Sequence, residues 1–171
     1  MQKIIVIGCP GSGKSTFSKA LHARTGIPLV HLDNLYWNAD KTTVDRAVFL
    51  ERLDTALAGD RWIIDGNYLS TMERRLDACD TVILLDYPTD VCLAGIRERR
   101  GTARTDMPWV ETEEDTELTD FVKHYATHTR PQVAELLQKY VHKSIFTFTK
   151  REETDTFLIN LQHGDIASGK E

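Results

Sequence analysis

The sequence predicts an α/β fold in which helices cover both faces of a parallel sheet, and three observations lead to this prediction. Short apolar segments rich in β-branched residues alternate with amphipathic segments along most of the 171 residues. A glycine-rich octapeptide, residues 8–15, separates the first apolar segment from the first amphipathic one. Three later apolar segments are each followed by an aspartate, which predicts acidic side chains at one edge of the sheet.

The first strand, the octapeptide and the first helix are predicted from residues 4–24. Residues 4–7 are continuously apolar and β-branched, as a strand buried on both faces requires. The octapeptide Gly-Cys-Pro-Gly-Ser-Gly-Lys-Ser matches the phosphate-loop pattern Gly-x-x-x-x-Gly-Lys-Ser/Thr at every position. An amphipathic helix follows over residues 16–24, with Gly26 as its stop signal. Glycines let backbone N–H groups point inward, and the helix N-terminus attracts anions, so this segment predicts a nucleoside triphosphate site.

Roles can be assigned within this loop from the chemistry of its side chains. Lys14 is expected to reach the β- and γ-phosphates of ATP, and the Ser15 hydroxyl is expected to ligate Mg²⁺. Cys9 fills a variable position of the pattern. The residues predicted to bind the nucleotide are Gly8, Gly11, Ser12, Gly13, Lys14, Ser15 and Thr16.

The remaining elements are predicted in order from hydrophobic spacing and from turn residues. Strands are expected at residues 28–32, 62–65, 81–86 and 144–149, and helices at 43–58, 69–78, 89–100, 117–140 and from 150 to about 161. The helical region 117–140 is predicted to be interrupted at Pro131, because proline disfavours the helical conformation of the residue before it.

Composition and charge limit the possible functions. One domain is expected over residues 1–163, with a lid at about 101–117 and a frayed tail at 164–171. The net charge of −5 argues against a nucleic-acid-binding surface. No apolar run is long enough for a membrane span, and no signal segment precedes the first strand. Three widely spaced cysteines suit a reducing compartment, so a cytoplasmic monomer or homodimer is expected.

Two of the strand-end acids are candidates for the metal site. Asp65 is favoured as the partner of Ser15, because Gly66 after it leaves room for an approaching substrate. Asp86 is the rival for that role. Its alternative is a carboxylate that accepts a hydrogen bond from a nearby backbone N–H.

The third acid, Asp33, is a candidate for contact with the acceptor. A carboxylate at this position would accept a proton from, or hydrogen-bond, a hydroxyl that is about to be phosphorylated. The alternative is a cap for the following turn. The neighbouring Tyr36 and Trp37 are either stacking surfaces for the acceptor or anchors in the core.

Four arginines within residues 97–104 suggest a lid that stabilises the transferred phosphoryl group. Arg97 and Arg104 are predicted to be catalytic. Arg100 and Arg130 remain open between phosphate contact and solvation. Arg99 lies on a different helical face from Arg97 and is predicted to be solvated.

Several segments also carry a family resemblance: the octapeptide, residues 31–37, 62–68, 80–88 and 104–107, and the pair Arg130-Pro131. Together they resemble adenylate-kinase-related P-loop proteins of the DNA topology modulation protein family, from about residue 3 to 160. The resemblance implies a three-layer α/β/α P-loop NTPase with strand order 2-3-1-4-5, similar to nucleoside monophosphate kinases with a short lid. It also implies an adenine pocket near Arg97 and residues 149–151, and it places Asp65 beside the phosphate-loop strand. Residues 108–111 depart from the family pattern, so no lid contact beyond Arg104 is implied.

The function predicted best is that of a small-molecule kinase that uses ATP and Mg²⁺. Its acceptor is an unidentified nucleotide, nucleoside or metabolite. The alternative is an ATP-binding regulatory protein that affects DNA topology without kinase activity, although the acidic net charge argues against direct DNA binding. A GTPase switch is disfavoured, because the sequence has no Asn-Lys-x-Asp signature.

Overall fold

One parallel five-stranded sheet organises the computed structural model, which describes residues 1–161. Its strands are β1 (Lys3–Gly8), β2 (Leu29–His31), β3 (Trp62–Asp65), β4 (Thr81–Leu85) and β5 (Ser144–Phe148). They lie in the order β2-β3-β1-β4-β5, and every neighbouring pair is parallel. The predicted fold class and strand order are therefore confirmed. The predicted tail at 164–171 lies outside the described residues.

Seven helices connect and cover these strands within residues 1–161. They are α1 (Lys14–Thr25), α2 (Leu32–Tyr36), α3 (Arg46–Leu57), α4 (Met72–Ala78, preceded by a 3₁₀ turn at Leu69–Thr71), α5 (Thr89–Glu98), α6 (Thr116–Gln138) and α7 (Arg151–Asn160). The short helix α2 was not among the predicted elements, and it begins at Leu32, which was predicted to belong to the second strand. Among the described residues, no helix combines the length and the apolarity needed to cross a membrane.

The side chains of β1 alternate between two apolar cores, one on each face of the sheet. Ile4 and Val6 pack with α1, α5, α7 and the first half of α6. Ile5 and Ile7 pack with α2, α3, α4 and the second half of α6. All four side chains are fully buried, which explains why this strand reads as continuously apolar rather than alternating. The three layers place the end of β1, and the phosphate loop after it, at the centre of the sheet edge.

Helix α6 runs without interruption through Pro131, so the predicted break is wrong. Its buried side chains continue at spacings of three or four residues on both sides of the proline: Val122, Tyr125, Thr129, Val133 and Leu137. Pro131 itself faces solvent. An internal proline costs a helix about 3 kcal/mol, and the continuous packing of α6 on both cores outweighs that cost.

Helix α5 packs backbone to backbone against the phosphate loop. A Cβ atom added at Gly95 of α5 would lie 2.1 Å from the carbonyl oxygen of Gly11. A Cβ atom added at Gly11, where φ is +83°, would lie 2.0 Å from the carbonyl oxygen of Cys92. Both positions therefore require glycine, because any side chain would push the loop and the helix apart.

Gly95→Ala is expected to lower the free energy of unfolding by about 1–3 kcal/mol, since the new methyl group overlaps a backbone carbonyl that cannot move freely. Urea denaturation measures this change. The sign of the change in unfolding free energy is informative, because Gly→Ala inside a helix otherwise stabilises the protein by about 0.5–1 kcal/mol. Gly59→Ala is the matched control, since its nearest contact would be at an ordinary 3.5 Å. Equal stability changes in the two variants would contradict the contact.

Candidate active site

The phosphate loop ends at a helix N-terminus that is open to a ligand. Helix α1 begins at Lys14, and its N-cap residue Gly13 has a φ of 86°. Within the described residues no side chain caps this end, and its first turn holds no acidic residue. The Ser12 hydroxyl beside it is buried and has no hydrogen-bond partner in residues 1–161. Unpaired N–H groups, a helix dipole and a free hydroxyl together suit an anion.

Six of the seven predicted nucleotide-binding residues line a cleft, and the seventh, Gly8, lies beneath it. The cleft has a volume of about 1070 Å³. It is lined by Gly11, Ser12, Gly13, Lys14, Ser15 and Thr16. Gly8 does not line it, because it ends β1, where its N–H group donates to Asn67 Oδ1 at 3.3 Å. Gly8 thus supports the loop from below.

Lys14 is held in the loop and faces two carboxylates. Its Nζ atom donates to the carbonyl oxygen of Cys9 at 3.0 Å. Burial lowers the pKa of Lys14, while the nearby Asp65 and Asp33 carboxylates oppose that shift. A lysine amine restrained in this way is already oriented for a phosphate.

Asp65 has the properties of a metal-site carboxylate. It is only 4% exposed, and its Oδ1 atom lies 2.8 Å from Nδ1 of His31. Its Oδ2 atom is buried without a hydrogen-bond partner among the described residues. A buried carboxylate oxygen without a partner is costly, so this atom is suited to a cation or to water bound by a cation.

The donor atoms around Asp65 fit Mg²⁺ better than a metal held by protein ligands alone. Residues 1–161 contain no group of three His, Cys, Asp or Glu side chains that could hold a metal. Mg²⁺ typically takes one or two protein ligands together with phosphate oxygens and water. The Asp65 carboxylate and the Ser15 hydroxyl, next to the phosphate loop, are such a set.

Asp86, the rival acid, is occupied by an arginine. Arg130 donates to both of its carboxylate oxygens, each at 2.7 Å. Asp86 does not line the cleft. Its partner is thus a guanidinium group rather than the expected backbone N–H, and Arg130 is paired away from the phosphate loop.

Asp33 lies in the first turn of α2 and faces the cleft. Its Oδ1 atom accepts a 2.6 Å hydrogen bond from the Tyr68 hydroxyl, so its side chain does not act as a turn cap. Burial raises the pKa of Asp33, and the Tyr68 hydrogen bond and Lys14 oppose that shift. The two aromatic neighbours differ: Trp37 lines the cleft, whereas Tyr36 packs in the core.

The lid arginines are arranged differently from the prediction. Arg99 and Arg104 line the cleft, whereas Arg97 is exposed on the opposite side of α5. The expectation that Arg97 faces the phosphates and Arg99 faces solvent is therefore wrong. Gly95 touches the phosphate loop, and Arg99, four residues later, shares its helical face, whereas Arg97 does not.

Acidic side chains of the lid hold both cleft arginines. Glu111 accepts from Arg99 Nε at 2.8 Å and from Arg104 Nη1 at 3.3 Å. Arg104 also donates to both carboxylate oxygens of Asp106, which is 1% exposed. Burial would raise the pKa of Asp106, but hydrogen bonds from Arg104 and Ser15 hold it well below its usual value. The segment 101–117, predicted to be a lid, thus contacts the phosphate loop through Asp106.

Arg75 is a functional support that sequence reasoning missed. It is fully buried, and it donates to the carbonyl oxygens of Gly66 and Tyr68 at 2.8 Å each. Burial lowers its pKa to about 10, so it stays charged at neutral pH. These bonds fix the segment after β3, which carries Asn67 and Tyr68 into the cleft.

Comparison with known structures agrees with the fold described above. The chain is similar to a shikimate kinase from Bacteroides thetaiotaomicron, with 22% identity over 93% of this chain and 95% of that chain and a TM-score of 0.55. It is also similar to a sugar kinase from Janibacter sp. HTCC2649, with 14% identity over 93% and 91% of the two chains and a TM-score of 0.52.

At these identities the likeness shows a P-loop kinase fold and nothing finer. No protein-family model matches the chain, and no curated protein sequence matches it. The resemblance to the DNA topology modulation family is therefore not confirmed.

Proposed function

We propose that this protein is a kinase that transfers the γ-phosphoryl group of ATP to a small-molecule acceptor. The observation that carries the proposal is the common cleft shared by the phosphate loop, Asp65 and Asp33. The phosphate loop as nucleotide site, Asp65 as metal-site acid and Asp33 as candidate base therefore line the same cleft. Two P-loop kinases among the structural neighbours agree with this reaction class.

In the proposed reaction an acceptor hydroxyl attacks the γ-phosphorus of ATP. Asp33 takes the hydroxyl proton as the new oxygen–phosphorus bond forms, and the bond from phosphorus to the β,γ-bridging oxygen breaks to release ADP. Lys14 and the N-terminus of α1 hold the β- and γ-phosphates. Mg²⁺ bound near Asp65 and Ser15 would neutralise charge on the phosphate oxygens.

The lid supplies the remaining positive charge in this proposal. Arg104 and Arg99 line the cleft and face the region where phosphoryl charge develops, so we assign them the role predicted for Arg97 and Arg104. Glu111 and Asp106 hold them in place until the nucleotide binds. The net charge of −5 gives no support to the alternative of a protein that acts on DNA.

The test is a screen for acceptor-dependent ADP formation with MgATP, in parallel with a thermal-shift screen that uses a non-hydrolysable ATP analogue. We expect the ATP analogue with Mg²⁺ and one class of acceptor each to raise the melting temperature. A ligand present at 100 times its dissociation constant stabilises the folded protein by about 2.7 kcal/mol. Omitting the acceptor is the control. Failure of nucleosides, nucleotides, sugars and small acids alike to stimulate ADP formation would contradict a kinase.

A further inference from the structure

We propose that the acceptor is an uncharged alcohol that carries a flat unsaturated ring, as a nucleoside does, and that it is not already phosphorylated or carboxylated. This inference rests on the proposed kinase function and narrows its substrate class. It concerns the acceptor end of the cleft, defined here as Asp33, Trp37, Asn67, Tyr68 and Trp109, all of which line the cleft.

The charges of the cleft disfavour an anionic acceptor. Among the described residues, the cationic side chains that line it are Lys14, Lys19, Arg99, Arg104 and Arg151. Lys14 belongs to the phosphate loop. Arg151 begins α7 after β5, at the sheet edge opposite β2 and Asp33. Lys19 lies on α1, which packs against α7 through Phe17 and Phe157. These three side chains therefore serve the donor side.

The two lid arginines that line the cleft already have acidic partners, whereas Lys41, Arg97 and Arg100 line a second cavity that shares Trp37 and Trp109 with it. Glu111 binds Arg99 and Arg104, and the buried Asp106 binds Arg104 through both oxygens. Arg75, under this end, is fully buried and committed to backbone carbonyls. A phosphate or carboxylate on an acceptor bound within the cleft would face the Asp33 carboxylate, and the cleft arginines on this side are already paired, which disfavours its binding.

Aromatic side chains form the walls of the acceptor end. The ring centroids of Trp37 and Trp109 lie 5.3 Å apart at an angle of 84°, which joins α2 to the lid. Tyr68 closes the inner side, and Tyr36 supports both Trp37 and Tyr68 from behind with centroid distances of 5.2 Å. Walls of this kind bind flat rings by stacking and edge contacts.

Asp33 and Asn67 supply the polar contacts that a hydroxylated acceptor needs. Tyr68 uses one oxygen of Asp33, and the other accepts no hydrogen bond from residues 1–161, so it is available to a substrate hydroxyl. Asp33 and Lys14 line the same cleft, and the charge of Lys14 opposes the rise of the Asp33 pKa, so a hydroxyl bound to Asp33 lies on the side of the phosphate loop. An aromatic wall beside a hydroxyl acceptor matches the ring and the alcohol of a nucleoside.

Binding is tested with adenosine and thymidine, their 5′-monophosphates, and glucose, each added to the protein saturated with a non-hydrolysable MgATP analogue. Two of the three tryptophans lie in the cleft and the third, Trp62, is buried, so tryptophan fluorescence reports acceptor binding. We expect at least one nucleoside to change the fluorescence and to bind at least about tenfold more tightly than its monophosphate and than glucose. Equal or tighter binding of the monophosphate or of glucose, or no response to either nucleoside, would overturn the inference.

Substitutions at the wall separate ring recognition from folding. Trp37→Leu is expected to weaken nucleoside binding about tenfold, and Trp37→Phe is expected to retain most of it, because stacking on an aromatic side chain contributes about 1–3 kcal/mol per base. Lys123→Ala, at an exposed position of α6 that lines neither cavity, is the control that should bind nucleosides normally. Equal affinity in the leucine and phenylalanine variants would contradict the stacking wall.

Turnover distinguishes this inference from the proposed function. ADP formation driven by a nucleoside supports both. ADP formation driven only by a monophosphate, a carboxylic acid or a non-aromatic sugar leaves the kinase function standing and overturns the substrate class. If no acceptor drives ADP formation, the kinase function fails, and with it any role of this end as an acceptor site.

Discussion

Lys14→Ala is expected to lower acceptor-dependent ADP formation by about 10²–10³-fold, the cost of losing one preorganised charge from the transition state. Lys14 is the only lysine of the phosphate loop, and its amine is held by the carbonyl oxygen of Cys9 at 3.0 Å. The lid arginines are held by acidic partners in this structure, whereas the Lys14 amine already lies in the phosphate loop. Steady-state ADP release measures the loss of turnover, and calorimetric titration with an ATP analogue measures the loss of nucleotide affinity.

The matched control for this substitution is Lys123→Ala, which removes an exposed lysine whose ion-pair partner within residues 1–161 is Asp120 on the same helix. It is expected to leave turnover unchanged. A modest loss in Lys14→Ala, comparable with that of the control, would mean that the loop binds no phosphate during turnover.

Asp65→Asn is expected to raise the Mg²⁺ concentration needed for half-maximal activity by about 10- to 100-fold. The substitution keeps the shape of the side chain and its contact with His31, but removes the negative charge of the buried and unpartnered Oδ2 atom. The measurement is a Mg²⁺ titration of ADP formation, with nucleotide-dependent thermal shifts at each concentration as a second readout.

Asp86→Asn provides the comparison, since Asp86 also follows a parallel strand. Arg130 holds both of its oxygens, so this variant should change stability through the lost ion pair and leave the Mg²⁺ requirement unaltered. A shift in the Mg²⁺ requirement of Asp86→Asn, and none in Asp65→Asn, would exchange the roles assigned to the two acids.

Local patterns were sufficient to predict the frame of the site. The apolar run of β1, the octapeptide and the acids after the strands are each defined by a few consecutive residues, and parallel topology alone brings strand ends to one edge. Asp33 and Asp65 could therefore be placed on the cleft before the fold was described, because strand order does not change which end of a strand they follow.

The arginines could not be placed in this way, since helix phase depends on packing. Arg97, Arg99 and Arg100 are equally polar, and only the close contact of Gly95 with Gly11 fixes which of them faces the loop. The polar face of a helix is visible in the sequence, but the partner on which the helix docks is not.

Tertiary contacts also overrode two local rules. Charged residues are expected at the surface, yet Arg75 is buried because the carbonyl groups of Gly66 and Tyr68 converge on it only in the folded chain. Proline disfavours a continuous helix, yet α6 passes through Pro131 because its buried face packs on both sides of that residue. The partners of Arg75 lie only seven and nine residues before it, but they converge on it only in the folded chain. The contacts that outweigh Pro131 are spread along a whole helix.

The contact between Gly11 and Gly95 has a mechanical consequence. Helix α5 touches the phosphate loop at Gly95, and one turn later it carries Arg99, whose partner Glu111 is in the lid. The lid is also fastened at the end of this helix, where the Gly101 N–H donates to the Glu111 carbonyl at 2.7 Å. Because α5 contacts both the phosphate loop and Glu111, a displacement of the loop is expected to shift the lid. A displacement of the lid is likewise expected to shift the loop.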